Sequence, residues 1–564
     1  MGLTGLKAEL SVQQSVEWWR GAVIYQIYPR SFLDSSGDGV GDLKGITEKL
    51  DYVASLGVDA IWISPFFKSP MKDFGYDISD YRAVDPLFGD LYHFDQLIAR
   101  AHDLGLRVMI DQVLSHTSDQ HVWFEESRSS RDNAKSDWYV WADPSEDGGV
   151  PNNWLSIFGG SAWQWDERRE QYYLHNFLTS QPDLNFHNDA MRQRLLQEVE
   201  FWLQRGVDGI RFDAINFCYH DRSLRDNPMK PEHERIGRGY SPDNPYAAQY
   251  HYYDNSQPEN LQFLESLRAL LDRYPDTVSL GEINSEFGLK TMDEYTGGNS
   301  RLHMGYSFEL LADEFSAVHI RTTVEQFARE CPSSWPCWSV GNHDVARVVT
   351  RWGSQASDKA QFAKTIMAML TALRGSLCLY QGEELGLSEA ALEFEQLQDP
   401  FGIAFWPEFK GRDGCRTPMP WQPEVEHFGF STSAPWLPMP REHGALSVAN
   451  QANQRDSVLN FYRSMLELRG RSACLRWGDL AFLAAPEGVL AIERRLGSDA
   501  MVFFVNLTAA QQTLSRPAEL TDQLNVSDGA LEFLPAPQRV DLDAFSFMIA
   551  TNTVALSEKS LTVG

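Results

Sequence analysis

Along the first two thirds of the chain, short apolar runs alternate with longer stretches whose apolar residues recur every three or four positions. Short runs bounded by turn residues predict strands, and the 3.6-residue spacing predicts helices. Ala22–Phe32 reads as a strand. Leu43–Leu56 reads as an amphipathic helix stopped by Gly57, Asp59–Phe67 as a strand, and Tyr92–Leu104 as a helix with Gly105 at its C-cap. Arg107–Leu114 is a third strand. The rhythm then breaks. From His116 to Asn185 the chain is rich in Trp, Asp, Asn, Gly and Ser, with short alternating pieces such as Gln171–Leu174. That stretch is too long for a loop and predicts an inserted small domain.

The rhythm resumes with helix Ala190–Gln204, capped by Asn188 or Asp189, and strand Asp208–Ala214. A second long polar connection runs from about Cys218 to Gln257. Helix Asn260–Arg273 and strand Thr277–Ile283 follow, with further strands expected at Met304–Leu310, Trp338–Gly341 and Ser376–Tyr380. Roughly eight βα units make the count of an α/β chain folded as a (β/α)8 TIM barrel. From about Gly478 the pattern changes. Ala491–Arg494 and Met501–Asn506 alternate or run apolar without helical spacing, so the tail predicts a β domain. The expected division is 1–115 and 186–477 for the barrel, 116–185 for the insertion and 478–564 for the β domain.

Three acidic segments stand at predicted strand ends: Gly209-Ile210-Arg211-Phe212-Asp213-Ala214, Leu280-Gly281-Glu282-Ile283-Asn284 and Val340-Gly341-Asn342-His343-Asp344. Carboxylates on successive strand ends of a β/α barrel converge on one rim. Such a rim suits a neutral, hydroxyl-rich substrate, where one carboxylate attacks, one gives a proton and one stabilises positive charge. Arg211 and Asp213 are two apart on one strand and share a face. The arginine is expected to lower the Asp213 pKa and hold it ionised, as a nucleophile requires. Glu282, with Asp213 as neighbour, is expected to have a raised pKa and to donate a proton. An ion pair or a helix cap explains each segment taken singly, but not all three together. His343 and Asp344 suit hydrogen bonds to sugar hydroxyls, and His116, which follows a strand containing Asp111, tells a similar story.

Asp34-Ser35-Ser36-Gly37-Asp38-Gly39-Val40-Gly41-Asp42 places oxygens at alternate positions with Gly at the sixth, as in loops that bind Ca²⁺ or Mg²⁺. Gly45 stands where an EF-hand needs its bidentate Glu, which excludes that motif. A Gly-rich turn without metal is the alternative. No organic cofactor is expected.

Composition narrows the partners. A net charge of −29 over 564 residues argues against nucleic acid, whose phosphates need basic grooves. The acidic balance fits a soluble, self-repelling surface or a salt-tolerant cytosol; arginine far outnumbering lysine is compatible with the latter, and high-GC codon bias gives the same excess. With 17 Trp and 20 Tyr, stacking platforms for sugars are plausible. Met1–Val16 shows neither a basic n-region nor an apolar core, and no run approaches the ~20 apolar residues of a membrane span. Six unpatterned cysteines predict free thiols in a cytoplasmic protein. Pro332 and Pro336 lie between Cys331 and Cys337, and no disulfide is predicted there.

At these residues the chain resembles the alpha-amylase family, glycoside hydrolase family 13, and within it the bacterial alpha-glucosidase and oligo-1,6-glucosidase branch. Ile24-Tyr25-Gln26-Ile27-Tyr28-Pro29-Arg30-Ser31-Phe32 looks like the family's first strand. Gly75-Tyr76-Asp77-Ile78-Ser79-Asp80-Tyr81, Gln181-Pro182-Asp183-Leu184-Asn185 and Gln381-Gly382-Glu383-Glu384 also match, in order. The resemblance implies a catalytic barrel, a subdomain after its third strand and a C-terminal antiparallel β domain. It implies Asp213 as nucleophile, Glu282 as acid/base and Asp344 as transition-state stabiliser. It sets Asp73, Tyr76, His116, Arg211, His343 and Arg412 around the terminal glucose, with Tyr76 stacking on the ring and Phe158 and Phe177 as aromatic lining. It makes Asp34, Ser36, Asp38, the Val40 carbonyl and Asp42 metal ligands.

Departures from the family pattern matter. Ser115 precedes His116 where the family has Asn, so the calcium site that uses that Asn is not expected. Within Gly411–Pro418, Arg412 is preferred over Arg416 as the substrate arginine. Ala214 after the nucleophile resembles enzymes that accept 1,4 linkages, whereas Val there resembles 1,6-specific ones. Phe401–Pro420 is similar to members that transfer glucose onto alcohols. The resemblance therefore implies a retaining, exo-acting alpha-glucosidase on short maltose-like substrates, with transglucosylation, as a monomer or homodimer free of membrane and nucleic acid. A sucrose isomerase or trehalose synthase is the alternative. A non-catalytic relative, like amino-acid transporter heavy chains, is disfavoured by the complete carboxylate set.

Overall fold

The computed structural model describes residues 17–552 except 236–243, 307, 519 and 528–529; Met1–Val16, read above for a leader, lies outside them. Eight parallel strands form one sheet: β1 Val23–Ile27, β2 Ala60–Ile63, β3 Arg107–Val113, β4 Gly209–Asp213, β5 Val278–Glu282, β6 Met304–Tyr306, β7 Cys337–Trp338 and β8 Ser376–Tyr380. Each pairs with its chain neighbour from β1 to β6, β1 also pairs β8, and β8 pairs β7. A parallel bridge between Gly305 and Pro336 joins the remaining two and closes the ring. After each strand comes a helix: α1 Leu43–Ser55, α2 Leu91–Asp103, α3 Asp189–Leu203, α4 Asn260–Leu271, α5 Gly288–Thr296, α6 Ala317–Glu330, α7 Lys359–Ala372 and α8 Val458–Arg471. This is the (β/α)8 barrel.

Strand alternation separates two cores. Ile24, Trp62, Met109, Leu280, Met304 and Cys378 point inward and fill the barrel. Val23, Tyr25, Ile61, Ile63, Val108 and Ile110 point outward and belong to the larger core shared with the helices. The interior is crowded at Gly209, where an added Cβ would come 2.6 Å from Val278 Cγ1 and 2.8 Å from Met109 Cγ.

Helix caps follow the sequence closely. Asn188, not Asp189, caps α3 through its side chain, which accepts from Met191 N–H. Strand lengths differ more. β1 stops at Ile27, not Phe32, because Pro29 lacks a ladder donor and Pro29–Ser31 turns as a 3-10 helix. The stretch 59–67 splits: β2 ends at Ile63 before Pro65, and Phe67–Lys68 pairs antiparallel with Asp80–Val84 instead. The segment 304–310 is strand only to Tyr306, with Glu309–Leu311 a 3-10 turn. β7 is two residues long and lies before most of the predicted Trp338–Gly341.

Between β3 and α3 the chain builds a small antiparallel sheet from Trp141–Ala142, Gln171–Leu174 and Trp163–Asp166, over its own core of Val140, Trp154, Ala162 and Trp163. The connection between β4 and α4 leans on it: Trp154 Nε1 donates to Arg225 O and Asn153 Nδ2 to Asn227 O. Beyond α8, a six-stranded antiparallel sheet begins at Asp479, and its Leu490, Ile492 and Phe503 join the barrel's outer core. All six cysteines are buried and free.

Candidate active site

Asp213 is the last residue of β4 and Glu282 the last of β5. The ladder pairs Phe212 with Gly281 in parallel, so the two acids extend the register by one step and stand side by side. One guanidinium spans them. Arg211 Nη1 donates to Asp213 Oδ1 at 2.6 Å, and Nη2 lies 2.8 Å from Glu282 Oε1 as a close ion contact without hydrogen-bond alignment. Nη1 also reaches Asp111 at 2.9 Å. Ala214 N–H donates to Glu282 Oε2 at 3.1 Å. The amide can aim there because Ala214 sits at φ +42°, in the left-handed region.

Asp344 is not at a strand end and not on the next strand. It lies six residues beyond β7, in a turn where Asn342 Oδ1 accepts from Asp344 N–H (2.8 Å) and Val345 N–H (3.0 Å). Asp344 Oδ1 is 2.9 Å from Arg416 and 3.3 Å from Arg412. Both arginines of the 411–418 segment therefore reach the site. Arg412 lines the cavity, while Arg416 is buried behind it and also donates to His343 O.

His343 is held by a directed chain. Gln26 Nε2 donates to Nδ1 at 2.7 Å, which puts the ring proton on Nε2. Nε2–H faces Tyr76 Oη at 2.5 Å, and that hydroxyl donates to Asp111 at 3.2 Å. The Tyr76 ring stacks on the His343 ring at 5.4 Å. Burial pushes His343 down to about 3 and it is neutral. His116, also pushed to about 3 by burial, faces the Tyr76 carbonyl at 3.2 Å.

These residues surround a cavity of ≈ 110 Å³ that opens to solvent. Asp73, Tyr76, His116, Phe158, Phe177, Asp213, Glu282, Asp344 and Arg412 all line it. Arg211 and His343 do not, being fully buried behind that lining. Sequence reasoning missed Asn216, Phe217, Phe308 and Asp399. The first three are lining residues. Asp399 sits behind Arg412, and its position before Pro400 was a readable cap signal.

Among the described residues, six carboxyl groups (Asp73, Asp111, Asp213, Glu282, Asp344, Asp399) contact three guanidiniums (Arg211, Arg412, Arg416). The balance favours a developing positive charge. Arg211 does pull Asp213 down, as expected, but the net shift is upward. Burial is the larger effect, and Arg211 is shared three ways, so Asp213 is pushed up to about 7. Glu282 rises further, to about 8, through burial and the nearby Asp213 and Asp344 charges, against the pull of Arg211. Burial acts on Asp344 too, but His343, Arg412 and Arg416 outweigh it and hold Asp344 well below the usual carboxylate range. The cavity thus offers a proton-holding Glu282, a titratable Asp213 oriented by an arginine, and a permanently ionised Asp344.

The loop at 34–42 is closed by its own hydrogen bonds. Asp34 accepts from the N–H groups of Ser36, Gly37 and Gly39 and from Ser431 Oγ. Asp42 caps α1 through Gly45 N–H and accepts from Ser35. Among the described residues no three His, Cys, Asp or Glu side chains converge to hold a metal. An ion here would lean on Ser36, the Val40 carbonyl and water besides the carboxylates.

The family model described as "Alpha amylase, catalytic domain" matches residues 26–478. The chain belongs to the alpha-amylase family. It is 53% identical over 510 residues to the "Probable alpha-glucosidase" of Rhizobium meliloti (strain 1021), covering 90% of this chain and 92% of that protein. It is 38% identical over 488 residues to the oligo-1,6-glucosidase of Heyndrickxia coagulans, covering 80% and 85%. Among solved structures it resembles the alpha-glucosyl transfer enzyme XgtA at 60% identity and a TM-score of 0.92, over 95% of this chain and 99% of that one. As an alpha-amylase family enzyme it is a glycoside hydrolase. Among the described residues no helix is long and apolar enough to cross a membrane.

Proposed function

We propose that this enzyme is a retaining, exo-acting alpha-glucosidase for short alpha-glucosides such as maltose, with transfer of glucose to alcohols alongside hydrolysis. The observation that carries the proposal is the in-register placement of Asp213 and Glu282 on adjacent strands. Neighbouring strands lie roughly 4.7–4.9 Å apart. That spacing favours the narrow carboxyl separation of double-displacement enzymes, roughly 5–5.5 Å, over the wider gap that leaves room for a water.

Asp213 attacks the anomeric carbon while Glu282 gives its proton to the leaving oxygen. The C–O bond breaks and a glucosyl ester forms on Asp213. The Glu282 carboxylate then takes a proton from water or an acceptor hydroxyl, whose oxygen displaces Asp213 and restores the alpha configuration. Asp344 stabilises the positive charge of both transition states. The Asp73–Arg412 pair on the cavity wall is the part of the site that would hold the terminal sugar. The apolar lining of Phe158, Phe177, Phe217, Phe308 and Phe401 limits water, and it supports transfer as a second reading beside the similarity to a transfer enzyme. Purified enzyme given maltose, isomaltose, trehalose, sucrose and an alcohol, with products identified, tests the assignment. Free glucose from maltose supports it, and rearranged disaccharide alone from sucrose or maltose favours an isomerase.

A structural Ca²⁺ or Mg²⁺ at 34–42 is part of the proposal. Its donors are all oxygens, the type hard cations take, and an ion would have to displace hydrogen bonds that Asp34 and Asp42 accept. Equilibrium dialysis against Ca²⁺ and Mg²⁺ tests it, one ion bound per chain being expected.

A further inference from the structure

Asp399 has no part in the chemistry above, yet its fully buried carboxylate accepts four directed hydrogen bonds. Oδ2 accepts from Arg412 N–H (2.8 Å) and Nε (3.1 Å), and Oδ1 accepts from Arg412 Nη2 (2.7 Å) and Phe401 N–H (3.2 Å). It is itself fixed, because its N–H donates to Asp413 Oδ2 at 2.8 Å. The short helix it caps, Pro400–Phe405, carries Phe401 into the cavity lining. Phe401 packs on Phe158 at 4.9 Å, and the Arg412 guanidinium lies 5.5 Å from the Phe158 ring. The contacts close a circle: Asp399, Arg412, Phe158, Phe401 and back to Asp399.

An ordinary helix cap needs only the Phe401 bond. Three of the four bonds go instead to Arg412, the cation that also touches Asp73 (2.9 Å) and Asp344 (3.3 Å). Asp399 neutralises Arg412 from behind the lining. Without that charge the guanidinium would be balanced only by the two carboxylates that face the sugar. The loop ends are also pressed together: Gly411, at φ +78°, lies so close that an added Cβ would be 2.6 Å from Gly402 Cα. Arg412 and Phe401 therefore share one support.

We propose that Asp399 is a positioning residue that holds Arg412 and Phe401 as one unit, coupling recognition of the terminal sugar to the shape of the acceptor side. The inference rests on the alpha-glucosidase reading given above. Asp399→Asn keeps the shape and a cap oxygen but removes the charge. It is expected to lower kcat/KM on maltose about tenfold, mostly through KM, and to shift the ratio of alcohol transfer to hydrolysis, with a melting temperature close to that of the parent. Asp399→Glu, which keeps the charge, is expected to recover most of the KM. A crystal structure of Asp399→Asn should show Arg412 turned away from Asp73. Unchanged KM and product ratio, or equal losses in the Asn and Glu variants, or a loss that only follows a fall in melting temperature, would overturn the proposal. If the parent enzyme releases no glucose from any alpha-glucoside, the functional reading fails, and Arg412 in the variant crystal still judges Asp399 alone.

Discussion

Asp213 and Glu282 stand side by side at the ends of neighbouring strands, each against a different nitrogen of the Arg211 guanidinium. The two acids differ in what else they meet. Asp213 has the aligned 2.6 Å bond to Arg211, and among the described residues Glu282 has the Ala214 amide as its aligned donor. Asp213→Asn keeps the shape and removes the nucleophile. Its kcat on maltose is expected to fall by roughly four orders of magnitude or more, measured by glucose release, with little change in melting temperature.

The pH dependence follows from the same pair. Asp213 must be ionised to attack, and burial has pushed it up to about 7, so activity falls as pH drops below that value. Glu282 must hold its proton, and burial has pushed it up to about 8, so activity falls as pH rises through it. A bell-shaped kcat/KM with a maximum between about 7 and 8 is expected for the free enzyme, its two limbs belonging to the pair jointly. A profile flat from pH 5 to 10 would contradict this assignment.

Ala214 follows the nucleophile at φ +42° and ψ +40°. A β-branched side chain is poorly tolerated in that region. Ala214→Val is expected to cost about 1–2 kcal/mol of stability and to raise the ratio of isomaltose to maltose turnover. Ala214→Gly should leave stability nearly unchanged. Melting curves and paired kcat/KM values on the two sugars check both.

Arg494 tests how the β domain is fastened. It is fully buried and, among the described residues, bonds carbonyls: Ala372 and Leu373 at the end of α7, and Gly478 and Asp479 at the start of the β domain. Arg494→Met fills the space but leaves those oxygens short of donors, at about 2–3 kcal/mol. The expected result is a lower unfolding temperature with kcat at 25 °C nearly unchanged.

Much of the barrel was legible because half-buried helices and apolar strands carry their period openly, as α2 and β8 do. What escaped reading has physical causes. α7 is buried on nearly every side, so its sequence lacks a polar face. β7 is two residues long, too short for any period, and this displaced Asp344 from strand end to turn. The electrostatics of Asp213 misled because a neighbour two residues away is visible in sequence, whereas burial and the sharing of Arg211 with Asp111 and Glu282 arise only in three dimensions. Asp399 and Arg412 are thirteen residues apart along the chain, and only the loop's closure brings them together.

The adjacency of Asp213 and Glu282 is tested most directly by a proton-NMR time course of maltose cleavage, read in the first minutes before mutarotation. Newly released glucose should appear as the alpha anomer, with the beta form growing later. Beta-glucose appearing first would mean that a water fits between the two carboxyls and that Asp213 never bonds to the sugar.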